Sequence, residues 1–302
     1  MSDYDIIDPR FSALINGSAK LERLWTGGRW TEGPVYIPAA RHLIWSDIPN
    51  NRILRYDEVG GGTSIFEAPC GFHNGHTLDG EGRIIACEHG NRRVSRLDHD
   101  GNWHTLADRF EGRRLNSPND VVVKSDGSIW FSDPSYGIDS DYEGYAALSE
   151  IGASNVYRID PVDGVVTLVA SDLVQPNGLA FSTDETTLYI SDTGATHVPG
   201  LPATIRAYPV SGDGRSLGQG TVFATCECGL FDGFRVDRNG NVFASSGDSV
   251  RVYATDGTLI GRILVPEAVA NVCFGGPRRN RLFITATSSL YAVYVKSGPA
   301  VR

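Results

Sequence analysis

The chain has 302 residues, 41% of them hydrophobic and 21% charged, with a formal net charge of −9. That is ample for a full core, and the negative balance disfavours nucleic acid and anionic membranes as partners. No apolar run approaches the roughly 20 residues of a membrane span, and the start, Met1-Ser2-Asp3-Tyr4-Asp5, has no basic stretch leading into an apolar one, so a cytoplasmic protein is expected.

In chain order, residues 1–19 read as a leader packed on the outside and residues 20–302 as one domain. Lys20–Trp25 reads as an isolated first strand. From Glu32 onward one unit recurs six times. Its openings are Glu32-Gly33-Pro34-Val35, Asn74-Gly75-His76-Thr77, Asn119-Asp120-Val121-Val122, Asn177-Gly178-Leu179-Ala180, Asp232-Gly233-Phe234-Arg235 and Asn271-Val272-Cys273-Phe274. Each opening runs into a strand, a turn and a second strand such as Leu43-Ile44-Trp45-Ser46-Asp47 or Leu188-Tyr189-Ile190-Ser191-Asp192. Turn residues such as Asp79-Gly80 and Asn239-Gly240 separate the two. An all-strand repeat of about 40 to 58 residues predicts an all-β, six-bladed β-propeller with four-stranded blades. Lys20–Trp25 then becomes the outermost strand of the last blade and closes the ring. The only helical turn expected is at Tyr145–Ser149.

The five cysteines, Cys70, Cys87, Cys226, Cys228 and Cys273, are odd in number and form no disulfide framework. A reducing compartment fits them. Cys87 and Cys273 fall in strand patterns and read as small core residues. Cys226-Glu227-Cys228 reads as a plain loop rather than a soft-metal site.

First strands line the channel of a propeller, so Glu32, Asn74, Asn119, Asn177, Asp232 and Asn271 are expected to meet around one axis. Asp47, Glu88, Asp133 and Asp192, at the ends of second strands, are expected to approach the same face. Burying Glu32 with Asp232 needs compensation, and no Lys or Arg holds an opening position. One bound divalent cation would supply it. Carboxylate and amide oxygens suit calcium first, with magnesium, manganese or zinc as alternatives. Taken singly, each opener is an ordinary turn residue; six in register favour the cation.

Two loops after second strands are long, residues 134–154 and 193–203. The first carries Tyr136, Asp139, Asp141, Tyr142, Glu143 and Tyr145, and the second carries His197. Such loops read as lids over a polyhydroxylated ligand, against the plainer reading of tolerated insertions. His73, His76, His89 and His197 are candidates for proton transfer or ligand binding, with His73 and His76 placed at the channel mouth by flanking Asn74. Trp30, Phe72, Phe231 and Phe234 are expected near the same mouth. The expected substrate contacts are Asn119, Asn74, His76, Tyr136 and His197.

Thr31-Glu32-Gly33-Pro34, Asn116-Ser117-Pro118-Asn119-Asp120, Gln175-Pro176-Asn177-Gly178-Leu179-Ala180-Phe181-Ser182 and Phe231-Asp232-Gly233-Phe234 together resemble the senescence-marker-protein, gluconolactonase and luciferin-regenerating-enzyme family. Phe72–Thr77 and Glu88–Arg93 resemble its bacterial gluconolactonase branch. The resemblance implies a divalent cation held by Glu32, Asn177 and Asp232, with Asn119 as fourth ligand or substrate contact and Asp232 as acid and base. It implies a metal-dependent hydrolase that opens a small-molecule sugar lactone, gluconolactone by default. The alternatives are a related esterase or phosphotriesterase on the same site, or a non-catalytic calcium-binding propeller. One departure stands out. Animal members carry a substrate-binding arginine two residues before the third-repeat asparagine; here that position is Ser117, with Arg113 and Arg114 upstream.

Overall fold

The second strands set the architecture. Leu43-Ile44-Trp45, Ile129-Trp130-Phe131 and Leu188-Tyr189-Ile190 are apolar on consecutive residues, so both faces of each strand must be covered. In the structure, a computed structural model describing residues 2–300, each is sandwiched between neighbouring sheets. Six sheets stand around one axis. The first is Thr31–Ile37, His42–Asp47, Arg52–Asp57 and Thr63–Glu67; the second is His73–Leu78, Ile84–Glu88, Arg93–Leu97 and Trp103–Ala107. Blade three is Val121–Val123, Ile129–Asp133, Asn155–Ile159 and Val166–Ala170; blade four is Pro176–Phe181, Thr187–Asp192, Thr204–Pro209 and Thr221–Thr225. Blade five is Phe234–Val236, Val242–Ser245, Ser249–Tyr253 and Leu259–Leu264. All pairings are antiparallel, and each inner strand touches the next around the ring.

Blade six takes Val269–Gly275, Arg281–Ala286 and Ser289–Tyr294, and its fourth strand is Glu22–Thr26. The six-bladed, four-stranded propeller closed by an N-terminal strand is therefore as the sequence predicts, with the closing strand displaced two residues at its start. The fourth strand of blade four carries a weak sequence signal because one face is exposed, as at Val222.

Ahead of the ring, Tyr4–Ile6 adds a fifth strand to blade five beside Leu259–Leu264. A one-turn helix, Pro9–Ser12, is capped by Asp8 and seats Phe11 against Gly261, where a Cβ would lie 2.2 Å from the ring. Tyr145–Ser149 is not helical. The turn of helix lies at Tyr136–Asp139 instead, because Tyr145 and Ala147 spend their backbone N–H groups on Gly137 and Ile138. All five cysteines are free, and Cys87 and Cys273 lie in the inter-blade core. Among the described residues, no helix is long and apolar enough to cross a membrane.

A repeated pair of side chains locks blade to blade. Ser46, Ser132 and Ser191, near the ends of second strands, donate to the backbone carbonyls of Asn74, Asn177 and Asp232, the openers of the following blades, at 2.9, 2.7 and 2.8 Å. The acids after them turn away from the channel, contrary to expectation. Asp47 accepts from the Arg29 N–H, Asp133 from Asn116, and Asp192 from Val174, Gln175 and Gly194. Each thus ties down the loop that enters its own blade.

Candidate active site

The openers sit where the inner strands lose regular pairing. Register shifts fall at Glu32/Val35, His73/His76, Pro176/Leu179 and Val269/Asn271, and bulges of this kind re-aim side chains at a rim. The glycine after four openers lets the ring close tightly. A Cβ on Gly33 would lie 1.9 Å from the Asn74 carbonyl oxygen, and one on Gly178 would lie 2.3 Å from that of Asp232. On Gly233 it would meet the Asn271 amide at 1.9 Å. Backbones therefore approach closely, and their side chains converge on the axis.

Glu32 is buried, and its Oε2 accepts from the Gly33 N–H and from Asn271 Nδ2 at 2.9 Å. The Asn271 oxygen is taken by the Val272 N–H at 2.8 Å, so Asn271 holds Glu32 rather than offering an oxygen. Burial, then the Asp120 charge, pushes the Glu32 carboxyl up to about 8. Burial also lifts Asp232 well above the ordinary carboxylate range, followed by Glu32, Glu143 and Asp120, while hydrogen bonding from Asn177 opposes the rise. Glu32, Asp232 and Asn177 thus share one neighbourhood.

Asp120 is a third buried acid that the sequence reading did not single out. It stands where four other repeats have glycine, and its Oδ1 accepts from the Val121 N–H at 2.8 Å. No opener is Lys or Arg, but a cation comes from three residues past the fifth opener: Arg235 Nη1 lies 3.7 Å from Asp120 Oδ2. With all three acids ionised and Arg235 charged, two negative charges remain uncompensated.

Glu32 Oε1, Asn74 Oδ1 and Asp120 Oδ2 are buried and lack hydrogen-bond partners. Glu32 Oε1 and Asn74 Oδ1 face no donor and Asp120 Oδ2 has only the longer Arg235 ion pair, so in a channel short of positive charge these hard oxygens fit a divalent cation. Among the described residues, three or more His, Cys, Asp and Glu side chains do not gather at metal-binding spacing, so asparagine oxygens would have to complete the set.

The long loops close over this centre. Tyr136 donates or accepts at Thr193 Oγ1 (2.5 Å) and Thr196 Oγ1 (2.9 Å), and Asp232 is among the charges that raise its phenol after burial. His197 stands on the rim with Nε2 at 2.9 Å from Asp139 and Nδ1 at 2.8 Å from Thr196, so its bonds tie the loops together instead of reaching inward. Glu143 reaches in instead. Burial, then Asp139, lifts its carboxyl to about 7, and it acts in turn on Asp232. Its carbonyl receives His89 Nδ1 at 3.1 Å, which leaves His89 Nε2 to accept from Asn74 Nδ2 at 3.2 Å and turns Asn74 Oδ1 free.

Ser117 accepts from the Gly137 N–H at 2.9 Å and donates to the Pro134 carbonyl at 2.7 Å, so this buried position anchors the lid rather than facing a ligand. Phe231 and Phe234 lie in the inter-blade core, not at the mouth, because both flank Asp232 on its buried sides. Phe72 does stand at the lid, edge-on to Tyr145 at 5.2 Å. His76 is fully buried behind Gly33, with both ring nitrogens engaged.

A six-bladed propeller with paired acids and asparagine amides at its axis defines a class of small-molecule enzyme scaffold. The sequence model of the "SMP-30/Gluconolactonase/LRE-like region" matches residues 30–288, and the chain belongs to that family. It is 30% identical to a gluconolactonase of Zymomonas mobilis over 96% of this chain and 85% of that one. It is 32% identical to a pentonolactonase of Haloferax volcanii, covering 86% and 82%. A solved gluconolactonase structure from Xanthomonas campestris superposes with a TM-score of 0.90 at 38% identity, covering 97% and 96%.

Proposed function

We propose that the protein hydrolyses sugar lactones with the help of one divalent cation, calcium by preference. The protein is a lactonase, the activity named for its relatives of 30 to 38% identity over most of the chain. The observation that carries the reading is the buried pair of acids Glu32 and Asp232, the first raising the second by its charge, with oxygens of Glu32, Asn74 and Asp120 that accept no hydrogen bond around it. Glu32, Asn177, Asp232 and Asn119 would hold the cation. When bound, it supplies Lewis-acid polarisation of the lactone carbonyl and stabilises oxyanion charge.

The chain's own groups do the rest. Asp232 takes a proton from water as the water oxygen attacks the carbonyl carbon. The bond from that carbon to the ring oxygen then breaks, and Asp232 returns the proton to the ring oxygen to give the open hydroxy acid. Asn177 keeps the Asp232 carboxylate oriented. Asn119 and Asn74 at the axis, with Tyr136 and Glu143 from the lid, take the sugar hydroxyls. His197 serves the lid by latching its two halves through Asp139. A phosphotriester is less favoured, because the aromatics that would make the pocket apolar, Phe231 and Phe234, are spent in the core.

The test is a pH-stat assay on a panel of glucono- and pentonolactones, after chelation and after adding back calcium, magnesium, manganese or zinc. Turnover restored by a cation, and cut about 100-fold or more in Asp232→Asn with the cation still bound, is expected. Full turnover of Asp232→Asn would remove its assigned role. A folded, cation-binding protein that opens no lactone would favour the non-catalytic calcium-binding module.

A further inference from the structure

Blade two contains a buried chain of titratable side chains that the reaction above does not use. Glu88, His73 and His76 are at most 1% exposed. His73 and His76 stand on one strand, three residues apart, a spacing that regular alternation would put on opposite faces. The register shift between them brings both rings to the same side, with His73 Nδ1 3.3 Å from His76 Nε2. The other nitrogen of His76, Nδ1, lies 2.8 Å from the Gly33 carbonyl oxygen. The other nitrogen of His73, Nε2, lies 3.5 Å from Glu88 Oε1.

The partners fix the protons. A carbonyl only accepts, so His76 Nδ1 carries hydrogen. A carboxylate only accepts, so His73 Nε2 carries hydrogen. Between the rings one nitrogen must donate to the other. His76, which faces a neutral peptide, is the neutral ring of the pair. Burial, then the neighbouring His73, pushes His76 down to about 3, in agreement. Glu88 is a firm anchor: it also takes Arg93 Nε at 2.9 Å and hydrogen bonds from Ser95 and Asn91. The Trp103 ring packs edge-on against His73 at 4.7 Å.

The far end of the chain is the Gly33 peptide. Gly33 adopts φ +56°, and its N–H donates to Glu32 Oε2. Its carbonyl is the atom that His76 holds. We propose that Glu88, His73 and His76 form a positioning relay in blade two that fixes the Gly33 peptide and thereby presents Glu32 of blade one to the cation. This rests on the reading of Glu32 as a cation ligand. The relay runs in one direction, from a carboxylate through two imidazoles to a carbonyl, and its end effect is to leave Glu32 Oε1 without a protein donor.

Two measurements on the full chain test it. The first is the nitrogen NMR of the histidine rings in the wild-type protein at neutral pH. His76 should carry hydrogen on Nδ1 alone, facing the Gly33 carbonyl, and His73 should carry hydrogen on Nε2, facing Glu88. A His76 with its hydrogen on Nε2, or a His73 without hydrogen on Nε2, would overturn the relay. The second compares calcium affinity in His76→Leu and His76→Asn. Asparagine keeps an N–H near the place of Nδ1, while leucine, of similar size, does not. His76→Leu should bind calcium at least tenfold more weakly, and His76→Asn should recover most of the loss. Wild-type affinity in His76→Leu, or equal losses in both variants, would also sink the proposal. If the wild-type protein bound no calcium, the cation reading itself would fail, and the ring protonation pattern would decide the relay alone.

Discussion

Arg235 Nη1 lies 3.7 Å from the otherwise unpartnered Oδ2 of buried Asp120 and sets the charge of the channel. With Glu32, Asp120 and Asp232 all ionised, the one guanidinium leaves two negative charges, the charge of one divalent cation. Replacing Arg235 with methionine keeps length and removes the charge. The cation-free protein should lose about 3 kcal/mol of stability, the usual cost of stranding one partner of a buried pair. Calcium should recover more stability in Arg235→Met than in the wild type. Denaturant unfolding with and without calcium measures both effects, and an equal calcium increment in the two proteins would contradict the charge count.

The pH dependence has a definite sign. An unfolded glutamate titrates near 4.5, whereas folded Glu32 is raised to about 8. Between those values the cation-free folded protein holds a proton that the unfolded chain has lost. Stability from this group is full below about pH 4.5 and declines as the pH rises through 8. A cation replaces that proton, so the increase in melting temperature on adding calcium should be larger at pH 8 than at pH 6. Equal increments at both values would argue against Glu32 as a ligand.

Close approach of backbones at the axis predicts an asymmetric response to added methyl groups. Gly178→Ala puts a Cβ 2.3 Å from the Asp232 carbonyl oxygen and should cost about 1–3 kcal/mol while lowering turnover. Gly212→Ala meets nothing within 4 Å and should stay within roughly 0.5 kcal/mol of the wild type. Melting curves of the two variants make the comparison.

The Tyr136 hydroxyl ties the first long loop to Thr193 and Thr196 of the second. Tyr136→Phe keeps the ring against His197 and removes those bonds. Its KM for the lactone should rise about fivefold, the effect of one ordinary hydrogen bond, with little change in kcat. A collapse of kcat at unchanged KM would place Tyr136 in the chemistry instead of the lid.

The ring and its axis were legible because they repeat. Glu32, Asn177 and Asp232, spread over 200 residues of sequence, could be grouped only by their common place at the head of a repeat. Residues that break the repeat were hidden for the same reason. Asp120 replaces a repeating glycine and reads as part of an Asn-Asp turn, while Arg235 lies just past an opener and reads as a solvated strand residue. Glu143 is one of several acids in a long loop, and only the fold of that loop over Gly137 brings it inward. The sequence placed His73 and His76 at the mouth because they flank Asn74. The register shift that turns both inward has no local sequence signature. The acids ending the second strands misled because a carboxylate at a strand end has two uses, and backbone N–H groups of the incoming loop lie nearer than the axis.

The strand that closes the ring also orders the events of folding. Thr26 bonds to Ser289, 263 residues away, so Glu22–Thr26 is made early and has no partner until nearly all the chain exists. The four-stranded cores of five blades can form from neighbouring segments, while the sixth must join two distant ones to have four strands at all, and distant contacts form slowly. The channel, and with it the gathering of Glu32, Asn271 and Asp232, is complete only when that last seam shuts. A newly made chain would thus have most of its strands well before it has an active site.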